Sequence, residues 1–334
     1  MLLGPLLTFG IAALVTPLLI AALRQRAILD KPNLRSAHVV PTPRGGGAAI
    51  VVGCAGGLCG AAILGVSLPL ALAAIAGLFA AIGLAEDISG VPAKARLALQ
   101  AMAAVLIVPW LVASVDGPTW WALAVGAGSA FGLVAYVNAF NFMDGINGIS
   151  AAQAIIAGAT FAAVGAVEGL PALQLGGLLI AAASLGWAPF NFPHARVFLG
   201  DVGSYFIGAW LAGCALLALA SSVPPEAVLA PLALYLADTG TTLVKRVARG
   251  AVWHESHADH TFQRLYRRGW SHARTTGVVA ACLAIMSGLG LLTLDGGLIV
   301  RVVADLAIFA IAVVYLVAPR FLDRPVRALQ RVLP

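Results

Sequence analysis

The chain has 334 residues, of which 61% are hydrophobic and only 10% charged, and its formal net charge is +6. This composition excludes an ordinary soluble domain. The basic residues are spread over short segments, so the charge does not indicate a nucleic-acid-binding surface. Apolar runs long enough to cross a bilayer recur along the sequence and predict an all-α, polytopic integral membrane bundle, in one domain over residues 1–334. The eleven predicted transmembrane helices lie near residues 2–23, 46–65, 68–85, 97–115, 119–138, 148–167, 170–190, 203–222, 224–244, 275–293 and 297–318.

The distribution of basic residues predicts the orientation of these helices. Every Lys and Arg except Arg301 lies in alternate loops or in the carboxyl-terminal tail. The charged residues of the opposite loops are all acidic. By the positive-inside rule, the basic loops face the cytoplasm, with the amino terminus outside and the carboxyl terminus inside. Arg301 precedes Asp305 by four residues, a spacing that predicts an intrahelical ion pair. The four cysteines lie in apolar runs without metal-ligand spacing and are interpreted as packing residues.

The first basic loop ends in the sequence PTPRGGG, in which Arg44 precedes three glycines at the start of the second predicted helix. Glycines at a helix amino terminus permit close backbone approach and leave free N–H groups, which suit a phosphate. The alternative is an ordinary positive anchor followed by a flexible helix start.

The third predicted helix ends with Glu86 and Asp87, followed by Lys94 and Arg96. Adjacent carboxylates on a helix point in different directions, so one can serve a metal and the other a proton. They also raise each other's pKa unless a cation compensates. A solvated helix end explains this pair equally well.

The stretch NAFNFMDGINGIS, residues 138–150, carries the most informative pattern. Asn138, Asn141 and Asp144 recur every third residue, so a helix would place them on one polar face where it leaves the membrane. The Asp-Gly pair then ends the helix. The alternative is a helix end whose amides cap backbone carbonyls.

Two later carboxylates are also candidates for site residues. Asp201 lies between Gly200 and Gly203, just before a helix expected to begin near Ser204. This context favours a hard-cation ligand over the alternative, a helix amino-terminal cap. Asp238 lies inside the ninth predicted helix, where an acid is costly. It serves either substrate contact or neutralisation of nearby arginines.

The longest basic loop, WHESHADHTFQRLYRRGWSH, holds four histidines at positions 254, 257, 260 and 272. No cysteine is near, and zinc would require further soft ligands. Phosphate contact by imidazole and arginine fits this loop better than zinc. The acidic and basic groups thus converge on the cytoplasmic side and indicate a metal and phosphate site at the membrane boundary.

Taken together, these motifs resemble those of the polyprenyl-phosphate N-acetylhexosamine-1-phosphate transferase superfamily, glycosyltransferase family 4. NAFNFMDGINGIS matches the family signature Asn-x-x-Asn-x-x-Asp-Gly-x-Asp-Gly, and FLGDVGS matches Phe-Met-Gly-Asp-x-Gly-Ser. PTPRGGG is similar to the block that opens the second helix. KPNLRSAH and HTFQRLYRRGWSH look most like the branch that initiates O-antigen or other surface-polysaccharide synthesis. The resemblance covers most of the chain in five blocks.

The resemblance implies transfer of an N-acetylhexosamine-1-phosphate from a UDP-sugar to undecaprenyl phosphate, with release of UMP. The implied partners are the UDP-N-acetylhexosamine, undecaprenyl phosphate and membrane lipid, with a homodimer left open. The implied cofactor is Mg²⁺, with Mn²⁺ as an alternative. The implied location is the bacterial inner membrane, with the active site facing the cytoplasm.

The resemblance also implies residue roles. Asp201 and Asp144 are expected to hold Mg²⁺, and Asp87 with Glu86 to act as base toward the acceptor phosphate. His260 is expected to be a further catalytic residue. The residues expected to bind substrate are Asn138, Asn141, Arg44, Lys94, Asn147, Arg264 and His257.

The chain departs from the family pattern in three places. Glu86 replaces the first of two aspartates, Asn147 replaces the second aspartate of the central signature, and only His260 remains of a His-x-His-His cluster. Glu86 preserves the charge with a longer reach. Asn147 and the thinned histidine cluster affect metal stoichiometry and sugar choice, and they favour the O-antigen-type branch over the peptidoglycan enzyme. The rival hypothesis is a transporter or flippase of an anionic lipid-linked metabolite, but such proteins place polar groups near the midplane and often show repeats.

Overall fold

The computed structural model describes residues 2–30, 32, 40–63, 65–66, 70–113, 118–250 and 259–322. In these residues the chain is almost entirely helical, with one antiparallel pair of two-residue strands. The elements are α1 (Leu3–Gln25), β1 (Leu29–Asp30), β2 (Thr42–Pro43), α2 (Ala48–Ile63), α3 (Leu70–Ser89), α4 (Ala93–Val105), α5 (Val108–Ala113), α6 (Thr119–Met143), α7 (Ile149–Val167), α8 (Pro171–Trp187), α9 (Gly200–Ala220), α10 (Pro225–Ala248), α11 (Thr261–Arg267), α12 (His272–Leu291) and α13 (Leu298–Val317). Short 3₁₀ turns follow α8 and α13.

The helices confirm the predicted membrane bundle. Ten helical segments of the described chain are long and apolar enough to cross a membrane, and the shorter α2 is also apolar. Each of the eleven predicted runs therefore corresponds to a helical segment. The run predicted at 97–115 begins earlier, at Ala93, and is interrupted between α4 and α5.

Burial divides the helices into inner and outer ones. Almost all of α9 is buried, and it packs against α3 and α6. The outer helices α1 and α13 instead expose large apolar side chains, as lipid-facing helices do. This arrangement makes α9 the central helix of the bundle.

Small residues bring neighbouring helices close together, as is common in membrane bundles. A side chain at Gly177 of α8 would place its Cβ 2.3 Å from the carbonyl oxygen of Gly158 on α7. A Cβ at Gly53 of α2 would lie 2.9 Å from the backbone carbonyl oxygen of Thr8 on α1. Both contacts require glycine, so these helix pairs pack backbone to backbone.

The two ends of the bundle differ in charge. We call the end where α3 and α6 finish and α9 begins the site end; the basic loops of the described chain lie there. At the far end, Arg301 binds Glu226 of α10 through two contacts of 2.8 Å. Arg301 therefore pairs with a residue of another helix, and not with Asp305 of its own helix as predicted. The reason is that the planar guanidinium matches the Glu226 carboxylate in a bidentate arrangement.

Candidate active site

Asp201 lies in the first turn of α9, which begins at Gly200 and not near Ser204 as predicted. The residue is thus neither in a turn before the helix nor the capping residue. Gly200 has a positive φ of 75°, and a Cβ there would lie 2.6 Å from Asp87 Oδ2. Only glycine fits this position, so the sequence around Asp201 allows the close packing on which the site depends.

The Asp201 carboxylate is the point where three other elements meet. Its Oδ1 accepts a hydrogen bond from Asn141 Nδ2 at 2.9 Å and lies 3.0 Å from Arg44 Nη2. Its Oδ2 lies 3.4 Å from Arg96 Nη1. The structure therefore brings together Arg44, Asn141 and Asp201, as predicted, although they are distant in sequence.

Asp87 holds the beginning of α9 in place. Its two carboxylate oxygens accept the backbone N–H groups of Asp201 at 3.0 Å and Val202 at 2.9 Å. Arg44 Nε lies 2.8 Å from Asp87 Oδ1, and the Asp87 side chain is almost fully buried. Most of its hydrogen-bonding capacity is thus used within the protein, and its role as a base toward phosphate stays a prediction.

Glu86 differs from its neighbour in having spare capacity. Its Oε1 lies 3.1 Å from Arg96 Nη1, whereas Oε2 is buried and accepts no hydrogen bond from the described part of the chain. The two adjacent carboxylates therefore point to different partners, as expected for a helix.

Arg96, and not Lys94, provides the cation from α4. Lys94 is exposed and forms no ion pair with the described residues, while Arg96 reaches both Glu86 and Asp201. Sequence reasoning selected Lys94 for the site and missed Arg96. The available signal was the spacing of Arg96 and Gln100, which share one face of an otherwise apolar helix.

The three polar residues at the end of α6 have different partners, and only Asn138 and Asn141 lie within the helix. Asn138 donates to Gln100 Oε1 of α4 at 2.6 Å, whereas Asn141 turns to Asp201 and to Ser204 Oγ. Asp144 follows the last helical residue, with a ψ of 70°, and accepts a 2.6 Å hydrogen bond from Ser150 Oγ. Asp144 departs from the predicted row because α6 ends at Met143, one residue before it.

Asp144 nevertheless belongs electrostatically to the same cluster. Burial raises the pKa of Asp144 to about 6, the Ser150 hydrogen bond opposes this shift, and the charges of Asp201 and Asp87 add to it. Burial alone would lower the pKa of Arg44, but Asp201 and Asp87 outweigh it, so that pKa is raised. We call Glu86, Asp87, Asp144 and Asp201 the carboxylate cluster.

Two of the three glycines after Arg44 serve packing within the protein. Gly46 N–H donates to Phe198 O at 2.9 Å and Gly47 N–H to Leu199 O at 2.8 Å. A Cβ at Gly47 would lie 2.2 Å from Gly203 Cα. The expectation that these N–H groups are free for phosphate is therefore wrong for Gly46 and Gly47, because the chain before α9 occupies them.

The turn that follows Asp144 is anchored from outside. Asn147 N–H donates to His272 Nδ1 at 3.1 Å, and Thr276 Oγ1 donates to Asn147 O at 2.8 Å. The Asn147 amide donates to Pro193 O at 3.0 Å. Asn147 thus has a structural role here, and its predicted contact with substrate stays a prediction.

His260 lies beside a second buried acid. Its Nδ1 is 3.5 Å from Asp238 Oδ1, and its ring centroid is 6.1 Å from that of Phe142. Asp238 also accepts the N–H of Thr261 and the hydroxyl of Tyr315 at 2.9 Å. Asp238 therefore attaches the start of α11 to α10 and α13. This role differs from the two expected from the sequence, which were substrate contact and neutralisation of nearby arginines.

The remaining predicted residues lie at the edge of this region or beyond it. Arg264 is half-buried on α11. His257 lies outside the described residues. Their predicted roles in binding phosphate stay predictions.

The donor set fits a divalent cation held by few protein ligands. No group of three or more His, Cys, Asp or Glu side chains that could hold a metal ion is found in the described chain. Mg²⁺ usually binds through one or two carboxylates, keeps several waters and takes the rest of its ligands from substrate phosphates. In the described ion pairs, Arg44 contacts Asp87 and Asp201, and Arg96 contacts Glu86 and Asp201. Asp144 is hydrogen-bonded to Ser150, so four carboxylates are matched by two guanidinium groups. The negative charge left over suits one divalent ion.

Comparison with known proteins agrees with this arrangement. Residues 69–219, which include Asp87, Asp144 and Asp201, match the family described as glycosyl transferase family 4. A Streptomyces coelicolor protein named as a glycosyltransferase is 33% identical over 294 residues, covering 84% of this chain and 67% of the relative. The chain belongs to glycosyl transferase family 4, the polyprenyl-phosphate hexosamine-1-phosphate transferase superfamily.

Two other relatives have more specific names. A Bacillus subtilis protein named as a probable undecaprenyl-phosphate N-acetylglucosaminyl 1-phosphate transferase is 26% identical over 288 residues, covering 80% of this chain and 79% of the relative. A decaprenyl-phosphate N-acetylglucosaminephosphotransferase of Mycolicibacterium smegmatis is 28% identical over 307 residues, covering 77% and 73%. The names of these relatives support a multi-pass membrane enzyme that transfers a sugar phosphate to a polyprenyl phosphate.

Proposed function

We propose that this family 4 protein transfers an N-acetylhexosamine-1-phosphate from a UDP-sugar to undecaprenyl phosphate. The products are UMP and a polyprenyl-diphosphate-linked sugar, which initiates O-antigen or another cell-surface polysaccharide. The proposal rests on one observation above the others: Asp201 is surrounded by Arg44, Arg96 and Asn141 at the end of the membrane helices. Such a site combines a carboxylate suited to a metal ion with two arginines suited to phosphate. Transfer of a phosphoryl group between two anionic substrates requires both.

In this proposal Asp201 and Asp144 hold Mg²⁺, or Mn²⁺ in its place. The bound ion would neutralise the diphosphate of the nucleotide sugar and stabilise charge on the leaving phosphate. Asn141 keeps the Asp201 carboxylate oriented through its 2.9 Å hydrogen bond, and Ser150 does the same for Asp144 at 2.6 Å. The two carboxylates are thus fixed before substrate arrives.

Arg44 and Arg96 attract the substrate phosphates. A guanidinium carries five N–H donors, and in the described contacts Arg96 uses Nη1 alone. The remaining donors of Arg96 are available to an incoming phosphate while Glu86 and Asp201 stay bound. His260 and Arg264 would complete this function from α11.

The proton acceptor for the lipid phosphate is one of the two adjacent acids at the end of α3. Glu86 Oε2 accepts no hydrogen bond from the described residues, whereas both oxygens of Asp87 bind backbone N–H groups. This difference favours Glu86 as the group that keeps the acceptor phosphate ionised. Asp87 would then support the reaction by holding Asp201 in place.

The orientation proposed for the protein places the site end at the cytoplasmic face of the bacterial inner membrane. The described basic residues, Arg301 excepted, lie at that end, which is consistent with the positive-inside rule. Cysteine-accessibility labelling of the loops at each end in intact cells tests this orientation. Labelling of the site end from outside would contradict it.

The activity is tested with purified protein in detergent, a panel of UDP-N-acetylhexosamines and a short-chain polyprenyl phosphate. We expect UMP release and a lipid-linked sugar diphosphate of matching mass, both abolished by EDTA and restored by Mg²⁺. The rival transporter hypothesis predicts no such product, and it predicts activity only in sealed vesicles. Absence of product with every donor sugar would overturn the proposal.

A further inference from the structure

Asn191 is a buried polar residue that no part of the mechanism above uses. It follows the 3₁₀ turn Ala188–Phe190 at the site end. Its Oδ1 accepts the backbone N–H of Gly148 at 2.6 Å, and its Nδ2 donates to the carbonyl of Val197 at 3.0 Å. One amide therefore joins two backbone segments that are far apart in sequence.

These two segments carry the carboxylates proposed to bind the cation. Gly148 ends the turn that begins with Asp144, and Val197 lies four residues before Asp201. Gly148 directly precedes α7, so its N–H has no acceptor within that helix and donates to Asn191. Asn191 thus connects the two segments directly, in addition to the Asn141 contact with Asp201.

Asparagine has the chemistry that this position requires. The amide offers an acceptor and a donor on one planar group, whereas aspartate offers only acceptors and leucine offers neither. Loss of either hydrogen bond would leave a buried backbone group unpaired and let one segment shift relative to the other.

We propose that Asn191 is a positioning residue that sets the separation of Asp144 and Asp201, and through it the affinity for a divalent cation. The inference rests on the proposed function, since it assumes that these two aspartates share the ion. Asn191 itself touches neither the ion nor the substrates.

The test uses the full-length protein with Asn191→Leu, which removes both hydrogen bonds, and Asn191→Asp, which keeps the acceptor and loses the donor. Mn²⁺ binding is measured by electron paramagnetic resonance of the free ion, and the Mg²⁺ dependence of turnover is measured separately. We expect the Mn²⁺ affinity to fall roughly 10- to 100-fold, the scale for residues that hold metal ligands in place, and the Mg²⁺ concentration for half-maximal turnover to rise by the same factor. KM for the nucleotide sugar should be unchanged. The aspartate variant is the more discriminating one, because an added negative charge alone would strengthen cation binding.

Arg196→Met is the matched control from the same loop. The Arg196 side chain donates to Pro189 O at 3.1 Å and lies over the Phe190 ring, and neither of these contacts involves Gly148, Val197 or a carboxylate. We expect wild-type Mn²⁺ affinity in this variant. Should Asn191→Leu fail to fold, the isosteric aspartate variant still decides the question.

The outcomes separate the two proposals. Wild-type protein that binds no Mn²⁺ would overturn the metal site and this inference with it. Wild-type protein that binds Mn²⁺, together with Asn191 variants of equal affinity, would overturn the positioning role alone. A raised KM with unchanged Mn²⁺ affinity would make Asn191 a substrate contact and would likewise overturn it.

Discussion

Replacing Asp201 with asparagine separates the chemistry of the site from its architecture. The substitution keeps the size of the side chain and removes its charge. Arg44 retains Asp87 at 2.8 Å, and Arg96 retains Glu86 at 3.1 Å, so neither guanidinium is left unpaired. The two ion pairs with arginine are lost, and the amide oxygen can replace only one of the two carboxylate acceptors, which we expect to cost about 1–2 kcal/mol of unfolding free energy.

The effect on turnover should be much larger. Removing one electrostatic catalytic group typically costs roughly 100-fold or more in kcat, equivalent to about 2.7 kcal/mol of activation free energy. We therefore expect Asp201→Asn to lower kcat roughly 100-fold or more, while a folded, monodisperse protein is still obtained. The same loss is expected for Asp144→Asn. Radiolabelled sugar-1-phosphate transfer into extracted lipid measures the rate, and thermal unfolding in detergent measures the stability.

Glu226→Gln is the matched control, because it removes a carboxylate paired with an arginine at the far end of the bundle. We expect a comparable loss of stability without the loss of turnover. If Asp201→Asn and Asp144→Asn both turn over at the wild-type rate with the wild-type Mg²⁺ requirement, the proposed metal site is refuted.

Arg96→Ala removes a cation facing the phosphates and should lower kcat/KM roughly 100-fold or more, the scale for one electrostatic group; steady-state kinetics with both substrates check this, and an unchanged kcat/KM would contradict it. Asp238→Ala leaves the start of α11 without its buried acceptor, so hydrogen exchange over Thr261–Arg267 should accelerate; exchange as slow as in the wild type would show that other contacts hold the helix. Gly47→Ala places a methyl group 2.2 Å from Gly203 Cα, so little folded protein should be recovered; a normal yield measured by size-exclusion chromatography would argue against this close packing.

The sequence predicted the membrane helices well, since long apolar runs bounded by glycine, proline and charge leave few alternatives. It also identified Asp87, Asp144 and Asp201 as members of one region, because each acid lies where a helix meets the membrane boundary. It did not predict how they are bound. The contact between Asp87 and the N–H groups at the start of α9 joins residues more than a hundred positions apart, and no local pattern encodes it.

Helix phase and helix ends explain the remaining differences. The position of Arg96 relative to Lys94 depends on where α4 begins, and α4 begins four residues before the predicted run. Asp144 departs from the polar row of α6 because the helix ends at Met143, one residue before it. Asn191 gave no signal at all, since one asparagine after a helix is common and its two partners are brought to it only by the tertiary fold.

The attachment of α9 to Asp87 has a consequence for how the chain is assembled. During synthesis, α3 enters the membrane more than a hundred residues before the start of α9 is available. Until then the Asp87 carboxylate has Arg44 as its neighbour but lacks the two backbone donors that it later binds. The reaction centre can therefore form only after α9 has inserted between helices made earlier, and a nascent chain shorter than about 200 residues must be inactive, whatever its helical content.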